Sequence, residues 1–247
     1  MSAADDAERL RQLHRGPDLL VLPNAWDAAS ARAVEAAGFP VVATSSHAVA
    51  AALGFDDHNS MPADEAFAAV ARVARAVGVP VTADIEAGYG LAPAELVERL
   101  VAAGAVGCNL EDTDHATGGL VDTARQADFL AAVRDACRAA GVDIVLNARV
   151  DATADAIDDG IERALAYVAA GADCVYPIRL ADEASIARFV SAVGAPVNIM
   201  VSPSAPPLAT LHRLGVARAS LAGGLFRVAQ KAIADHLQAL VQTAPEV

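Results

Sequence analysis

The chain has one lysine, Lys231, among its 247 residues. A Schiff-base aldolase needs a lysine at a strand end facing its substrate. Lys231 lies in a late helical stretch, so imine chemistry is excluded. Cysteine is scarce too: Cys108, Cys137 and Cys174 are odd in number, widely spaced and form no CxxC pair. That pattern supports neither a disulfide framework nor a zinc site. Positive charge is short, with 18 Lys and Arg against 31 Asp and Glu, for a formal net charge of −13. The balance excludes nucleic acid as a partner, because phosphate binding draws on clustered Lys and Arg. Although 55% of the residues are hydrophobic, no apolar run approaches the roughly 20 residues that span a bilayer. The stretch Met1 to Glu8 is acidic and lacks the apolar core of a secretory signal. The expectation is a cytoplasmic protein with no membrane partner.

What the chain has in quantity is an alternation. A short helix is expected over about 3–14, then a strand 19–23, a helix 26–37 closed by Gly38 and a strand 41–45. After a loop through Asp57 come a helix from Pro62 to Val77 and a strand 79–84. A helix from Pro93 to about Gly104 follows, then strand 106–110 and helix 123–140. Strands 144–148, 174–178, 197–201 and 217–221 alternate with helices 155–170, 182–193, 206–214 and 224–242. Strands alternating with helices of this length indicate parallel βαβ units. Eight such pairs in a chain close to the ~250 residues typical of the fold predict an α/β protein of the (β/α)8, or TIM, barrel type. No Pro/Gly/Ser-rich linker divides the sequence, so residues 1–247 read as one domain. An open doubly wound sheet would carry a GxGxxG after its first strand, where this chain has Pro23-Asn24-Ala25-Trp26. In the last helix Leu225, Val228, Ile233, Leu237, Leu240 and Val241 spread around much of the circumference. Covering one barrel takes a single apolar stripe, so the surplus predicts contact with a second subunit.

The stretch Thr82-Ala83-Asp84-Ile85-Glu86-Ala87-Gly88-Tyr89-Gly90 closes the third strand. In an extended chain residues two apart face one side, which would bring Asp84 and Glu86 together. Two adjacent anions repel unless a cation lies between them, and a hard divalent ion held by few carboxylates and several waters would answer that. An acidic strand end facing solvent is the competing reading. In a barrel the chemistry sits at the C-terminal strand ends. Those ends carry Asn24, Thr44 to His47, Asp84, Glu86, Asn109, Glu111, Asp112, Asn147, Arg149, Asp151, Arg179, Asn198 and Ser202. Each has a plain alternative: Arg149 could pair with Asp151 or Glu111, and Asn198 could cap backbone.

The segments Leu22-Pro-Asn-Ala-Trp-Asp-Ala-Ala-Ser-Ala-Arg32, Asp84-Ile-Glu-Ala-Gly-Tyr-Gly90, Asn109-Leu-Glu-Asp112 and Asn147-Ala-Arg-Val-Asp151 resemble the isocitrate lyase/phosphoenolpyruvate mutase superfamily in order and spacing. The resemblance implies a Mg²⁺-dependent barrel, with Mn²⁺ as a substitute, acting on 2-oxo or 2-hydroxy acids through an enolate. It implies that Asp84 touches the metal and that Glu86, Glu111 and Asp57 complete its sphere. Ser45, Ser46 and His47 would meet the substrate carboxylate, with Asp84, Arg149 and Asn198 also at the substrate. Arg149, Glu111 and His47 are the expected catalytic groups. The resemblance also implies dimers or tetramers with an exchanged C-terminal helix.

The departures narrow the reaction. The lyase branch places a catalytic cysteine in the loop after the fourth strand, and the mutase branch places a lysine, an asparagine and a serine there. Here that loop reads Glu111-Asp-Thr-Asp-His-Ala-Thr-Gly-Gly-Leu-Val-Asp122. A glutamate or histidine common at the sixth strand is also replaced, since Val175-Tyr-Pro-Ile178 ends on isoleucine. His115 is that loop's one group titrating near neutrality, either as acid or base under a closing lid or as a solvated side chain. The leading expectation is a Mg²⁺-dependent carbon–carbon lyase or decarboxylase of a small 2-oxo acid. A mutase or hydrolase of the same superfamily and a 2-oxo acid binding protein with little turnover are the alternatives.

Overall fold

Short runs, mostly buried and rich in valine, leucine and alanine, supply eight strands. They close into a parallel barrel in the computed structural model, which describes residues 2–154 and 156–243. The first strand comes in two pieces, Leu20–Leu22 and Asn24–Ala25, because Pro23 between them has no N–H to give the ladder. The first piece pairs with Arg218–Ser220 and the second with Val42–Thr44. The parallel ladder then runs through Val81–Asp84, Gly107–Glu111, Val145–Val150 and Cys174–Pro177. A bridge from Val175 to Val197 leads to Asn198–Met200, which pairs with Arg218–Ser220 and closes the ring. Helices follow the strands at Ala28–Ala36, Ala63–Ala74, Pro93–Ala103, Thr123–Ala140, Ile157–Ala169, Glu183–Val193, Leu208–Arg213 and Gly224–Thr243. The predicted (β/α)8 barrel is the observed fold.

The leading helix, Ala3–Arg15, begins at a capping box on Ser2 and seals one end of the barrel. Its Leu10 is fully buried in a cluster with Leu20, Val41, Val106 and Val145, all at strand starts. Gly107 makes that seal possible. A Cβ there would lie 2.7 Å from Leu10 Cδ2 and 2.9 Å from Thr82 Oγ1. With the N-terminal end closed, the C-terminal strand ends are the open mouth.

Two elements fall where only loop was expected. Ser46–Leu53 is a helix, with the Ser45 hydroxyl accepting from Ala48 N at 3.4 Å and Gly54 ending it in the left-handed region at φ 82°. A serine cap, an alanine-rich run and a glycine stop are ordinary helix signals, here compressed into eight residues. The loop after the fourth strand folds back as a small antiparallel ladder, Thr113–Asp114 against Gly119–Leu120.

The last helix meets the barrel mainly near its start, where Phe226 packs edge-on to Trp26 with centroids 5.1 Å apart. Beyond that point Val228, Ile233, Leu237, Leu240 and Val241 are 51–76% exposed. No described helix is long and apolar enough to cross a membrane.

Candidate active site

Three neighbouring strands deliver the centre of the site in register. Asp84, Asn109 and Asn147 are Cα partners across the ladder, so their side chains share one layer of the barrel interior. Asp84 Oδ2 accepts from Ser46 N at 3.1 Å and Ser46 Oγ at 3.0 Å, and Oδ1 from Asn109 Nδ2 at 3.3 Å. The carboxylate is therefore fixed in orientation before any ligand arrives. Ser46 spends its backbone N–H and hydroxyl on Asp84, and Ser45 caps its helix, although both line the cavity.

Glu86 lies beside Asp84, but not by strand alternation. The strand ends at Asp84, and Glu86 turns back in the left-handed region at φ 51°, followed by Gly88 at 86° and Tyr89 at 54°. Non-glycine residues there carry strain of about 1–2 kcal/mol each. Glu86 accepts from Asn59 N and from Tyr89 OH, the latter at 3.3 Å. Burial pushes its carboxyl up to about 7, with Asp57 and Asp84 adding to the rise against the Asn59 bond. Glu111 is pushed up to about 8, again chiefly by burial, although Arg149 opposes the shift.

Arg149 bridges two carboxylates. Its Nη1 lies 2.5 Å from Glu111 Oε2, while Nε and Nη2 donate to Asp151 at 2.6 and 3.2 Å. Both structural pairings considered for it exist, and the guanidinium still faces the cavity. Asp112 stands behind as an anchor, fully buried and bonded to Tyr167 OH at 2.7 Å, Arg163 Nη1 at 3.1 Å and Asp151 N at 2.9 Å.

His115 is not a solvated loop side chain. Its Nε2 sits 2.5 Å from Glu111 Oε1 and its ring centroid 5.8 Å from that of His58. Burial and the neighbouring His58 and Arg149 hold it below the usual histidine range. Glu86, Glu111 and His115 place one possible ligand atom each within 4.8 Å of one another. Asp57 stands across from them, 3.4 Å from His47 Nδ1. Oxygen-rich donors of this kind suit a hard divalent cation, and among the described residues Glu86 has no cationic partner to balance it. The donor set fits a metal, and a ring nitrogen of His115 lies within the same cluster.

The cavity above these groups measures about 360 Å³. His47, Arg149 and Asp84 line it, while Asn198, Glu86 and Glu111 do not. Asn198 is fully buried one layer down, where its amide donates to Ser220 Oγ at 3.2 Å and Ser220 reaches the cavity instead. Arg179, one of the strand-end residues, also lines the cavity, as do Tyr176 and Arg227, neither of which was among the expected site residues. Tyr176 precedes the isoleucine on which the sixth strand was expected to end. Arg227 comes from the last helix, where no strand-end rule would find it. All three cysteines are buried, and burial raises their thiols, Cys174 to about 12.

The profile of the phosphoenolpyruvate phosphomutase family matches residues 10–241. A crystal structure of a candidate phosphonomutase from Burkholderia cenocepacia J2315 superposes with a TM-score of 0.89 at 41% identity, covering 95% of this chain and 99% of that one. A protein of Corynebacterium glutamicum named "probable 2-methylisocitrate lyase 2" is 34% identical over 209 residues, 79% of this chain and 67% of its own. An oxaloacetate decarboxylase of Rhodopseudomonas palustris is 32% identical over 214 residues, 83% of this chain and 74% of its own.

Proposed function

Because the chain belongs to the phosphoenolpyruvate phosphomutase family, we propose that its barrel mouth cleaves a carbon–carbon bond in a small 2-oxo acid, with decarboxylation as the reaction. One observation carries the reading: Asp84 and the fixed guanidinium of Arg149 line a cavity that no thiol reaches, with the cluster of Glu86, Glu111 and His115 next to them. Asp84, Glu86 and Glu111, with Asp57 across the cavity, would hold Mg²⁺ or Mn²⁺. Such an ion supplies a Lewis acid for the 2-oxo oxygen. Arg149, its plane set by Glu111 and Asp151, provides a second positive field for the substrate carboxylate or the developing oxyanion. Loss of CO2 breaks the bond between C3 and the departing carboxylate, and the electron pair moves into the C2–C3 bond of an enolate. A proton must return to C3. Water can supply it, or the imidazole of His47, oriented by Asp57, or of His115.

The missing thiol separates this reaction from isocitrate cleavage, whose family mechanism returns that proton from a lid cysteine. Metal-dependent pyruvate release from oxaloacetate is expected, with negligible glyoxylate from isocitrate. Oxaloacetate turnover should be unchanged in a Cys108→Ser/Cys137→Ser/Cys174→Ser variant that folds. Isocitrate cleavage at ordinary enzyme rates, on the order of 1–10³ s⁻¹, would overturn the assignment. Phosphonopyruvate turnover in the same panel would favour the mutase reading, which the 41% identity to a candidate phosphonomutase supports.

Metal binding on this reading competes with protons. The folded carboxyls of Glu86 and Glu111 titrate near 7 and 8 in the metal-free protein, above the ordinary value of about 4.3. The stability they contribute is fully present below the unfolded value and is lost as pH rises through 7 and 8. A divalent ion displaces those protons and offsets the lost stability. The rise in melting temperature on adding Mn²⁺ should therefore be larger at pH 8.5 than at pH 6, and equal rises would count against these two as ligands.

We further propose that residues 1–247 form one domain and that the exposed apolar side of Gly224–Thr243 packs on another copy of the chain. Val228, Ile233 and Val241 would become buried there. Light scattering at micromolar concentration should report a dimer or tetramer, and a monomer would rule this out.

A further inference from the structure

Arg218 lies inside the barrel on the eighth strand, fully buried, with no carboxylate at ion-pair distance among the described residues. Its Nη2 donates to Asn109 Oδ1 at 3.1 Å, while Nε and Nη1 have no protein partner. Burying a charge this way costs stability that an apolar side chain of similar volume would not cost. A purely structural requirement would not select it. Locally unfavourable residues of this kind gather where function needs them.

The use of the charge follows from hydrogen-bond polarity. A guanidinium has donors only, so Asn109 must turn its carbonyl oxygen towards Arg218. Asn147 Nδ2 donates to the same oxygen at 2.8 Å. The Asn109 NH2 then has one direction left, and it meets Asp84 Oδ1 at 3.3 Å. Two donors on the carbonyl, one of them cationic, also polarise the amide and strengthen the bond it gives. Asp84 is the one carboxylate among the charges that weigh most on Arg218.

We propose that Arg218 is a positioning residue for Asp84, acting through Asn109 by fixing the direction of the amide that holds the carboxylate in its metal-facing orientation. The inference rests on reading Asp84 as a metal-holding group. Asp84 would thus be held from two sides: Ser46 grips one oxygen and the Arg218–Asn109 pair the other. Supporting partners of this type are worth about 10–100-fold in metal affinity.

The test is a double-mutant cycle with Mn²⁺ alone as the probe, using Arg218→Met, Asn109→Leu and the double variant. Each is measured by titration calorimetry, alongside thermal unfolding of the metal-free proteins. Arg218→Met should weaken Mn²⁺ binding at least tenfold while the protein remains folded, and the double variant should bind within about twofold of Asn109→Leu. Affinity within twofold of wild type in folded Arg218→Met would overturn the proposal. So would a double variant whose loss equals the product of the two single losses, since Arg218 would then act without Asn109. Should wild type bind no Mn²⁺, the metal reading falls, and the Asn109 side-chain amide resonance, identified by its absence in Asn109→Leu, decides the relay. A shifted resonance in Arg218→Met supports it, and an unmoved one overturns it. If Arg218→Met does not fold, Arg218→Lys, which keeps the charge without the planar fork, is judged by the same readouts.

Discussion

Replacing Asp84 by alanine is expected to weaken Mn²⁺ or Mg²⁺ binding by more than about 100-fold, above the range for losing a merely supporting group. The expectation comes from how Asp84 is held. Two bonds from Ser46 and one from Asn109 fix both its oxygens, so the carboxylate loses little freedom when an ion arrives. Glu86→Ala should cost less. Glu86 hangs from a turn, is tied back by Asn59 and Tyr89, and with its carboxyl pushed up to about 7 must give up a proton in part of the molecules at neutral pH. Its removal also relieves repulsion between neighbouring acids. Calorimetry showing unchanged affinity for Asp84→Ala would remove the basis for a metal at this mouth.

The barrel could be read from the chain because its signals are local and repeated. Each strand is an apolar run a few residues long, and glycines follow several of the helices, as Gly104 and Gly141 do. The helix Ser46–Leu53 was missed although its cap and stop are equally local, because eight residues between two clear elements look like loop. At the site, the acids were legible because strand ends in a barrel converge. Their arrangement was not. Strand alternation brought Asp84 and Glu86 together for the wrong reason, since the turn at Glu86 has positive φ and only the folded backbone shows it. The exclusion of Asn198 and the inclusion of Arg227 depend on which layer of the barrel a side chain occupies and on where the last helix crosses the mouth. Arg218 was invisible for a similar cause. An arginine in a short strand reads as surface, and nothing in its neighbours tells that it points inward beneath Asn109.

Arg149→Lys is expected to leave metal binding in place while affinity for a 2-oxo acid falls by about 2–3 kcal/mol, roughly 30- to 150-fold. Lysine keeps the charge but loses the planar fork. In the native site that fork spans Glu111 on one side and Asp151 on the other, and this double tie aims the guanidinium at the cavity. A flexible ammonium can satisfy one of the two acids or the substrate, but not all three in fixed geometry. Arg149→Ala should be harsher. It leaves Glu111 and Asp151, both at least 90% buried, without their cation, and breaking a buried pair in this way costs about 3–5 kcal/mol of folding stability. The lysine variant is therefore the one that reports on substrate binding, and the alanine variant reports on the fold. Equal losses of metal and ligand affinity in Arg149→Lys would make Arg149 a partner of Glu111 and nothing more, and the anchor for the substrate carboxylate would then have to be sought among Arg179, Arg227 and His47 on the cavity wall.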